Sequence, residues 1–210
     1  MHRRTLSIPQ DTVKRLSLYL RILSRLGARK VKVASSSDIT SFLHISPVQL
    51  RKDLSYFGEF GRRGVGYDVQ ALKGEIEKIL GTNVIRKIAL VGVGKLGSAL
   101  LGYPGFTEFN LQICAAFDTD ARKVGRVRQG IRIEHLCRLK RVVKGQGIKI
   151  AILAVSADAA QKVSEDLVNS GIKAILNFSP VNLALPADVY VSNVDMASEL
   201  ESLVYKLTQR

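Results

Sequence analysis

The stretch Lys87-Ile88-Ala89-Leu90-Val91-Gly92-Val93-Gly94-Lys95-Leu96-Gly97-Ser98-Ala99-Leu100 joins a strand-like apolar run to three glycines and a helix-like segment. In a strand–turn–helix unit the first glycine makes the tight turn. The second lets the backbone approach a pyrophosphate, and the third lets the helix pack on the strand. An anion then rests on free amide N–H groups at the helix start, so Gly92, Val93, Gly94, Lys95, Leu96 and Gly97 are all candidate cofactor contacts. A second apolar run, Leu111 to Phe117, ends on Asp118, which lies 21 residues beyond Gly97. That is close to the spacing of about 20 for an acid that hydrogen-bonds an adenosine ribose. A carboxylate there repels a 2′-phosphate and favours NAD(H) over NADP(H). The neighbouring Arg122 and Lys123 temper the preference without reversing it, and Lys123 is counted with the cofactor residues.

Beyond Asp118 the pattern alternates. Strand-like runs at Ile131 to Ile133, Ile148 to Val155, Ile172 to Leu176 and Val189 to Val191 are interleaved with a helix predicted over Ala157 to Asn169. Alternation of this kind implies an α/β fold with a Rossmann-like, doubly wound and mostly parallel sheet. Ligands of such sheets collect at the carboxyl ends of the strands. Ala154-Val155-Ser156 and Asn177-Phe178-Ser179-Pro180 leave strands at that edge, which makes Ala154, Val155, Ser156, Asn177, Ser179 and Pro180 candidate pocket residues. The last segment, Asp195 to Leu207, is an amphipathic helix that needs a surface to bury against, either its own domain or a second subunit.

The first third reads differently. Val13, Leu16, Leu20, Leu23 and Leu26 recur at helical spacing from Pro9, with Gly27 as the expected stop. Ser35-Ser36-Ser37 offers caps for a short second helix with Ile39, Phe42 and Leu43 as its apolar stripe. Ser46-Pro47-Val48-Gln49 starts a third, with Ser46 as cap, Pro47 at the first helical position and Gln49 completing a capping box. This helix is predicted to reach about Phe57, with Leu50, Leu54 and Phe57 inward and Arg51, Lys52, Ser55 and Tyr56 outward. Two short helices and a tight turn, the second with a basic outer face, form a helix-turn-helix. Gly58 through Tyr67 then reads as a β-wing with Arg62 and Arg63 at its tip, placed to reach phosphate or a minor groove. Ser46, Gln49, Arg51, Lys52, Ser55, Tyr56, Arg62 and Arg63 are the candidate DNA contacts. A linker helix is predicted over Val69 to Leu80, with the domain boundary at Gly81-Thr82-Asn83.

Charge agrees with a polyanionic partner: 32 Lys and Arg face 18 Asp and Glu, a net +14 over 210 residues. Residues 1–80 hold 15 basic and 7 acidic groups, and residues 81–210 hold 17 and 11, so the front third is the more basic per residue. No apolar run approaches the roughly 18–20 residues that span a membrane, and no secretory h-region is present, so a cytoplasmic location without membrane partners is expected. Cys114 and Cys137 have no metal-ligand spacing, and no metal is expected. A dehydrogenase needs an acid–base group beside the nicotinamide, and His2, His44 and His135 are all poorly placed for one. A regulator is therefore favoured over an NAD-dependent oxidoreductase with a basic accessory domain. A coenzyme A binder is a further alternative, against which Asp118 argues mildly.

The chain resembles the Rex redox-sensing transcriptional repressors over nearly its whole length. The resemblance rests on Tyr19-Leu20-Arg21, on Gln49 through Gly58, on Gly61 through Tyr67 and on Gly92 through Leu100. It continues at Tyr103-Pro104-Gly105-Phe106, Phe117-Asp118, Asn177 through Pro180 and Asn193-Val194-Asp195. It implies a homodimer that sits on palindromic double-stranded operator DNA when NADH is scarce and leaves it when NADH binds, answering to the balance of NADH and NAD⁺. With the boundary at Gly81-Thr82-Asn83, the expected division is a winged-helix domain over 1–82, an NAD(H)-binding domain over 83–192 and a dimerisation helix over 193–210, which the resemblance implies is exchanged between subunits. Arg21 and Tyr103 of one subunit and Asp195 of the other are implied as a ligand-dependent polar network. Tyr103 and Met196 join the cofactor contacts, Met196 standing where the family often has an aromatic residue.

Overall fold

A computed structural model of the chain describes residues 8–62 and 64–209. Arg63, one of the two wing-tip arginines, and His2 lie outside the described residues. The chain divides into two units between Val84 and Ile85.

In the first unit, α1 (Gln10–Ala28) is followed by β1 (Val33–Ala34), α2 (Ser36–Thr40), α3 (Pro47–Ser55), β2 (Tyr67–Asp68) and α4 (Val69–Leu80). The inner face of α1 is Leu16, Tyr19, Leu20, Ile22 and Leu23, whereas Val13 is exposed. Gly27 does not stop the helix. It lies inside the last turn, and Lys30, at φ 60°, takes the left-handed position instead. A methyl on Gly27 would press on the Gln70 side-chain amide of α4, the far end of a flexible side chain that can swing aside. Ser35 and Asp38 form a reciprocal capping box on α2, but that helix is one turn long and Phe42, beyond its end, is exposed rather than part of an apolar stripe. Ser46 caps α3 by accepting from the Gln49 amide, with Pro47 in the first turn as predicted. The helix ends at Ser55 and Phe57 is only half-buried, so the expected run to Phe57 is too long by two residues. The α4 bounds match the prediction. Asp68 caps its start, and Gly81 closes it with left-handed geometry (φ 69°), the conformation a glycine adopts at least cost.

The second unit runs β3 (Arg86–Val91), α5 (Lys95–Leu101), α6 (Pro104–Thr107), β4 (Leu111–Asp118), β5 (Val127–Arg128), β6 (Ile131–His135), α7 (Leu139–Gln146), β7 (Ile150–Leu153), α8 (Ala157–Asn169), β8 (Ala174–Asn177), β9 (Tyr190–Asn193) and α9 (Met196–Thr208). Its seven strands lie in the order β5-β6-β4-β3-β7-β8-β9. Every pairing is parallel except that of the edge strand β5. Counting from β3 and leaving out β5, this is the 3-2-1-4-5-6 order of a doubly wound dinucleotide fold, with its reversal between β3 and β7. The run predicted as Ile131 to Ile133 extends to His135, while the Ile148 to Val155 run yields only Ile150–Leu153 as strand. Apolar residues fill both faces of the sheet: Val91, Phe117, Leu153 and Leu167 on one, Leu90, Ala116, Ile133 and Ile152 on the other. Burial on both sides is why these strands read as continuous apolar runs. No residue of α9 is buried, and Leu200, Leu203, Val204, Tyr205 and Leu207 are all exposed.

Candidate functional site

At the reversal of strand order, three glycines serve three purposes. Gly92 turns the chain out of β3 at φ 93°, and a methyl there would collide with the Ala154 carbonyl at the end of β7. A methyl on Gly97 would overlap the Gly92 carbonyl oxygen, so the first turn of α5 seats directly on the loop. Gly94 is exposed, and a methyl on it would meet nothing within 4 Å. That is the open backbone position at which a phosphate can approach.

Asp118 ends β4 beside this loop and is 8% exposed. Its Oδ2 accepts from the Val93 amide at 2.8 Å and from Lys123 Nζ at 3.0 Å, and its Oδ1 accepts from the Asp120 amide at 2.8 Å. Burial pushes the carboxyl upward, but the two amides and the lysine outweigh it and hold the group below the usual carboxylate range. A carboxylate has about four acceptor positions, and three are filled, leaving one for a hydroxyl. Arg122 is turned away onto Asp120, through Nε at 3.0 Å and Nη2 at 2.9 Å. Of the two basic neighbours, only Lys123 faces Asp118.

A cavity of about 270 Å³ lies over these groups, lined by Gly92, Gly94, Asp118, Lys123, Ala154, Val155 and Ser156. Its remaining walls are Val91, Thr119, Leu136, Ala159 and Val163. Sequence reasoning missed Leu136, Ala159 and Val163, because they are core-type residues whose apolar edges also form the slot. A phosphate at Gly94, a ribose hydroxyl at Asp118 and a flat base between Leu136, Val155 and Val163 are all accommodated by this set.

Other candidates take supporting places. The Val93 side chain packs in the core, so this residue contributes its backbone alone. Lys95 is exposed and Leu96 half-buried in the first turn of α5. Asn177 is fully buried: its Nδ2 donates to the Val181 carbonyl and to Asn193 Oδ1, and its Oδ1 accepts from the Ser179 amide. Ser179 Oγ donates to the Val155 carbonyl at 2.9 Å. These two side chains therefore shape the loop that holds Val155; they, Pro180, Tyr103 and Met196 lie outside the cavity lining. Tyr103 is exposed and packs edge-on to Phe106 at 5.0 Å. Asp195 caps α9, its Oδ1 accepting from the amides of Ala197 and Ser198, with exposed Met196 next to it. Arg21 is exposed on α1.

In the first unit, Arg51, Lys52 and Ser55 are exposed on α3 as expected, with Val48 beside them and Tyr56 half-buried. Gln49 departs from the prediction. Its side chain does not return to close a capping box but donates to Asp53 Oδ1 at 2.8 Å. Asp53 is buried and is the residue sequence reasoning overlooked. Arg15 clamps it through Nε at 2.6 Å and Nη2 at 2.7 Å, and the hydroxyls of Tyr19 and Thr12 add bonds at 2.8 and 3.2 Å. Burial raises this carboxyl, and the bonds from Arg15, Gln49 and Tyr19 overcome that and hold it low. The wing forms where expected: Arg62 and Gly66 exchange backbone bonds in a tight hairpin, and β2 pairs with β1. Arg51, Arg62, Ser36 and Gly64 share a cleft of about 690 Å³ between α2, α3 and the wing. Arg51 Nη1 donates to Ser36 Oγ at 3.2 Å.

Among the described residues no group of His, Cys, Asp and Glu could hold a metal ion, and no helix is long and apolar enough to cross a membrane. His135 Nδ1 accepts from the Cys137 amide, and burial raises the half-buried Cys114 thiol.

Comparison with known proteins places both units. A family described as a putative DNA-binding protein N-terminus matches residues 7–55, and a CoA binding domain family matches residues 83–181. A redox-sensing transcriptional repressor Rex from Desulforamulus reducens is 44% identical over 204 residues, 97% of each chain. One from Thermus thermophilus is 46% identical over 202 residues, 96% of this chain and 95% of the relative. These relatives are named as repressors and not as enzymes. The crystal structure of RSP in complex with β-NAD⁺ and operator DNA superposes with a TM-score of 0.90 at 32% identity, covering 96% of this chain and 93% of that one. RSP in complex with β-NADH gives 0.85 at 30% identity, covering 97% and 95%. With near-complete coverage at these identities, and with a nucleotide cleft and a basic helix-turn-helix in one polypeptide, the chain belongs to the Rex family of redox-sensing transcriptional repressors.

Proposed function

We propose that the chain binds operator DNA as a homodimer through α3 and the wing, and that NADH in the cleft over Gly94 and Asp118 releases it. The observation that carries this reading is the cleft itself: an open glycine, an ionised acid with one acceptor position left and an apolar slot, in a chain that also carries a basic helix-turn-helix. The solved relative holds β-NAD⁺ together with operator DNA in one structure and β-NADH in another, which supports a dinucleotide over coenzyme A here. Oxidised nicotinamide carries a ring charge that reduced nicotinamide lacks, so an apolar surrounding penalises NAD⁺. Only a ligand that favours one dimer geometry shifts the equilibrium, and each tenfold preference is worth about 1.4 kcal/mol. The domain division proposed is 1–82, 83–192 and 193–210, in a cytoplasmic protein. Arg21 and Tyr103 meet Asp195 of the partner subunit in one ligand state, and Met196 fills space towards the nicotinamide.

The test is a titration of the full-length protein on a palindromic operator duplex, followed by fluorescence anisotropy. NADH is expected to dissociate the complex at concentrations at which NAD⁺ leaves it intact. Equal responses to both, or none to either, would overturn the reading.

A further inference from the structure

The second unit concentrates its positive charge in one place. Residues 120–149 hold ten Lys and Arg and two acids, a net +8, whereas the rest of residues 85–210 hold seven and nine, a net −2. The basic residues run through four consecutive pieces of chain: the loop after β4, the β5–β6 hairpin at the sheet edge, the turn leading into α7, and α7 with the loop behind it. Glu134 links the hairpin to that turn, with Arg138 Nη1 at 3.0 Å and Arg132 Nε at 4.0 Å. Those two arginines and His135 line one hollow of about 190 Å³. Arg122 is held by Asp120. Arg126, Arg128, Lys140, Arg141 and Lys144 are exposed and have no acidic partner among the described residues.

Such an arrangement works against the fold. On α7, Leu139 and Val143 point into the core, which leaves Lys140, Arg141 and Lys144 on the outer side. Lys144 is four residues from Lys140 and three from Arg141, spacings at which like charges repel. A merely solvated face mixes signs. Edge strands do carry charge to block pairing with other chains, which accounts for Arg126 and Arg128 but not for α7.

We infer that this surface is a second, sequence-independent site for the phosphate backbone of duplex DNA, made of residues other than those of α3 and the wing. The chemistry selects that partner. Residues 120–149 contain no Phe, Tyr or Trp, so they offer neither a stacking platform for single strands nor an aromatic anchor for a membrane interface. What they offer is guanidinium and ammonium groups on a rigid hairpin and helix, which suits a regular row of phosphates.

The test uses the full chain and a duplex without operator sequence, with affinity followed by anisotropy from 50 to 200 mM KCl. In the R126Q/R128Q/K140Q/R141Q/K144Q variant the slope of log affinity against log salt is expected to flatten by about 4. Affinity at 50 mM is expected to fall at least tenfold, with the melting temperature retained. R51A/K52A/R62A, which strips the helix-turn-helix face, is expected to keep the salt-dependent component that the first variant loses. An unchanged slope in the first variant would overturn the proposal, as would complete loss of this binding in the second. So would wild-type preference for phosphatidylglycerol vesicles or poly(U) over the duplex at equal phosphate. If the five-site variant fails to fold, R126Q/R128Q and K140Q/K144Q decide the matter, each expected to remove about 2 from the slope.

Discussion

At single residues, the three glycines of the loop separate folding from binding. Gly94→Ala adds a methyl in open space at φ −77°, ψ −159°, a conformation any residue adopts. Its melting temperature is expected to stay at the wild-type value while calorimetric NADH affinity drops at least tenfold, because the methyl stands where the phosphate must come. Gly97→Ala meets the Gly92 carbonyl and is expected to destabilise the second unit by about 1–3 kcal/mol or more, read as a lower melting temperature. Asp118→Ala is expected to weaken NADH while ligand-free operator affinity persists; an unchanged NADH titration would exclude the ribose role. Asp53 makes a pH prediction. Its folded-state carboxyl titrates below its unfolded value of about 3.9, so its contribution is complete above that value and disappears as pH falls through the folded one. Asp53→Ala leaves Arg15 without its partner and is expected to cost about 3–5 kcal/mol at pH 7. In urea melts from pH 7 to 3, the gap between variant and wild type is expected to stay constant down to about pH 5 and to narrow as pH falls below the unfolded value of about 3.9. Asp118 was legible in the sequence because its relation to the glycines is one of spacing. Asp53 was not, since its partners Tyr19 and Thr12 lie 34 and 41 residues away and nothing local to α3 announces them.

Among elements, α4 has the predicted bounds because Asp68 caps its start and Gly81 closes its end. α8 also has the predicted bounds, without a side-chain cap at its start. The errors fall where tertiary contact overrides a local signal. Gly27 reads as a stop but stays inside the last turn of α1, and Phe42 reads as core but follows a helix too short to bury it. Gln49 reads as a cap partner that accepts from the Ser46 amide, yet its side chain turns inward to donate to a buried carboxylate four residues on, a charge-assisted bond. This inward turn leaves Arg51, Lys52 and Ser55 as the outward polar face of α3. Arg51→Ala and Lys52→Ala are each expected to weaken operator binding by about 1–3 kcal/mol if the contact is to a base, and mainly to flatten the salt dependence if it is to a phosphate. Neither is expected to alter NADH binding. A salt series in which Arg51→Ala, Lys52→Ala and Arg62→Ala all match wild type would remove the helix-turn-helix from the mechanism.

For the whole molecule, the decisive element is α9, whose apolar residues are exposed in the single chain. Truncation before Asp195 is expected to give monomers or aggregates in light scattering; a truncated dimer that still released DNA would refute helix exchange. Asp195 carries two roles that one substitution can separate. Asn caps a helix about as well as Asp, so Asp195→Asn is expected to keep α9 and the dimer. It removes the charge that Arg21 of the other subunit would meet, and NADH is then expected to release operator poorly, a coupling loss of about 1–3 kcal/mol. Asp195→Ser, a second capping residue, is expected to behave alike, so restored release with Ser would indicate that charge is not what couples. The clamp on Asp53 has a consequence on another timescale. Because five donors from Thr12, Arg15, Tyr19 and Gln49 set the angle of α3 from within, the outward positions Val48, Lys52 and Ser55 carry none of that task, and Arg51 adds only an exposed bond to Ser36 of α2. A lineage can therefore drift to a new operator by exchanging those four letters while the bearing of the helix is inherited with little change.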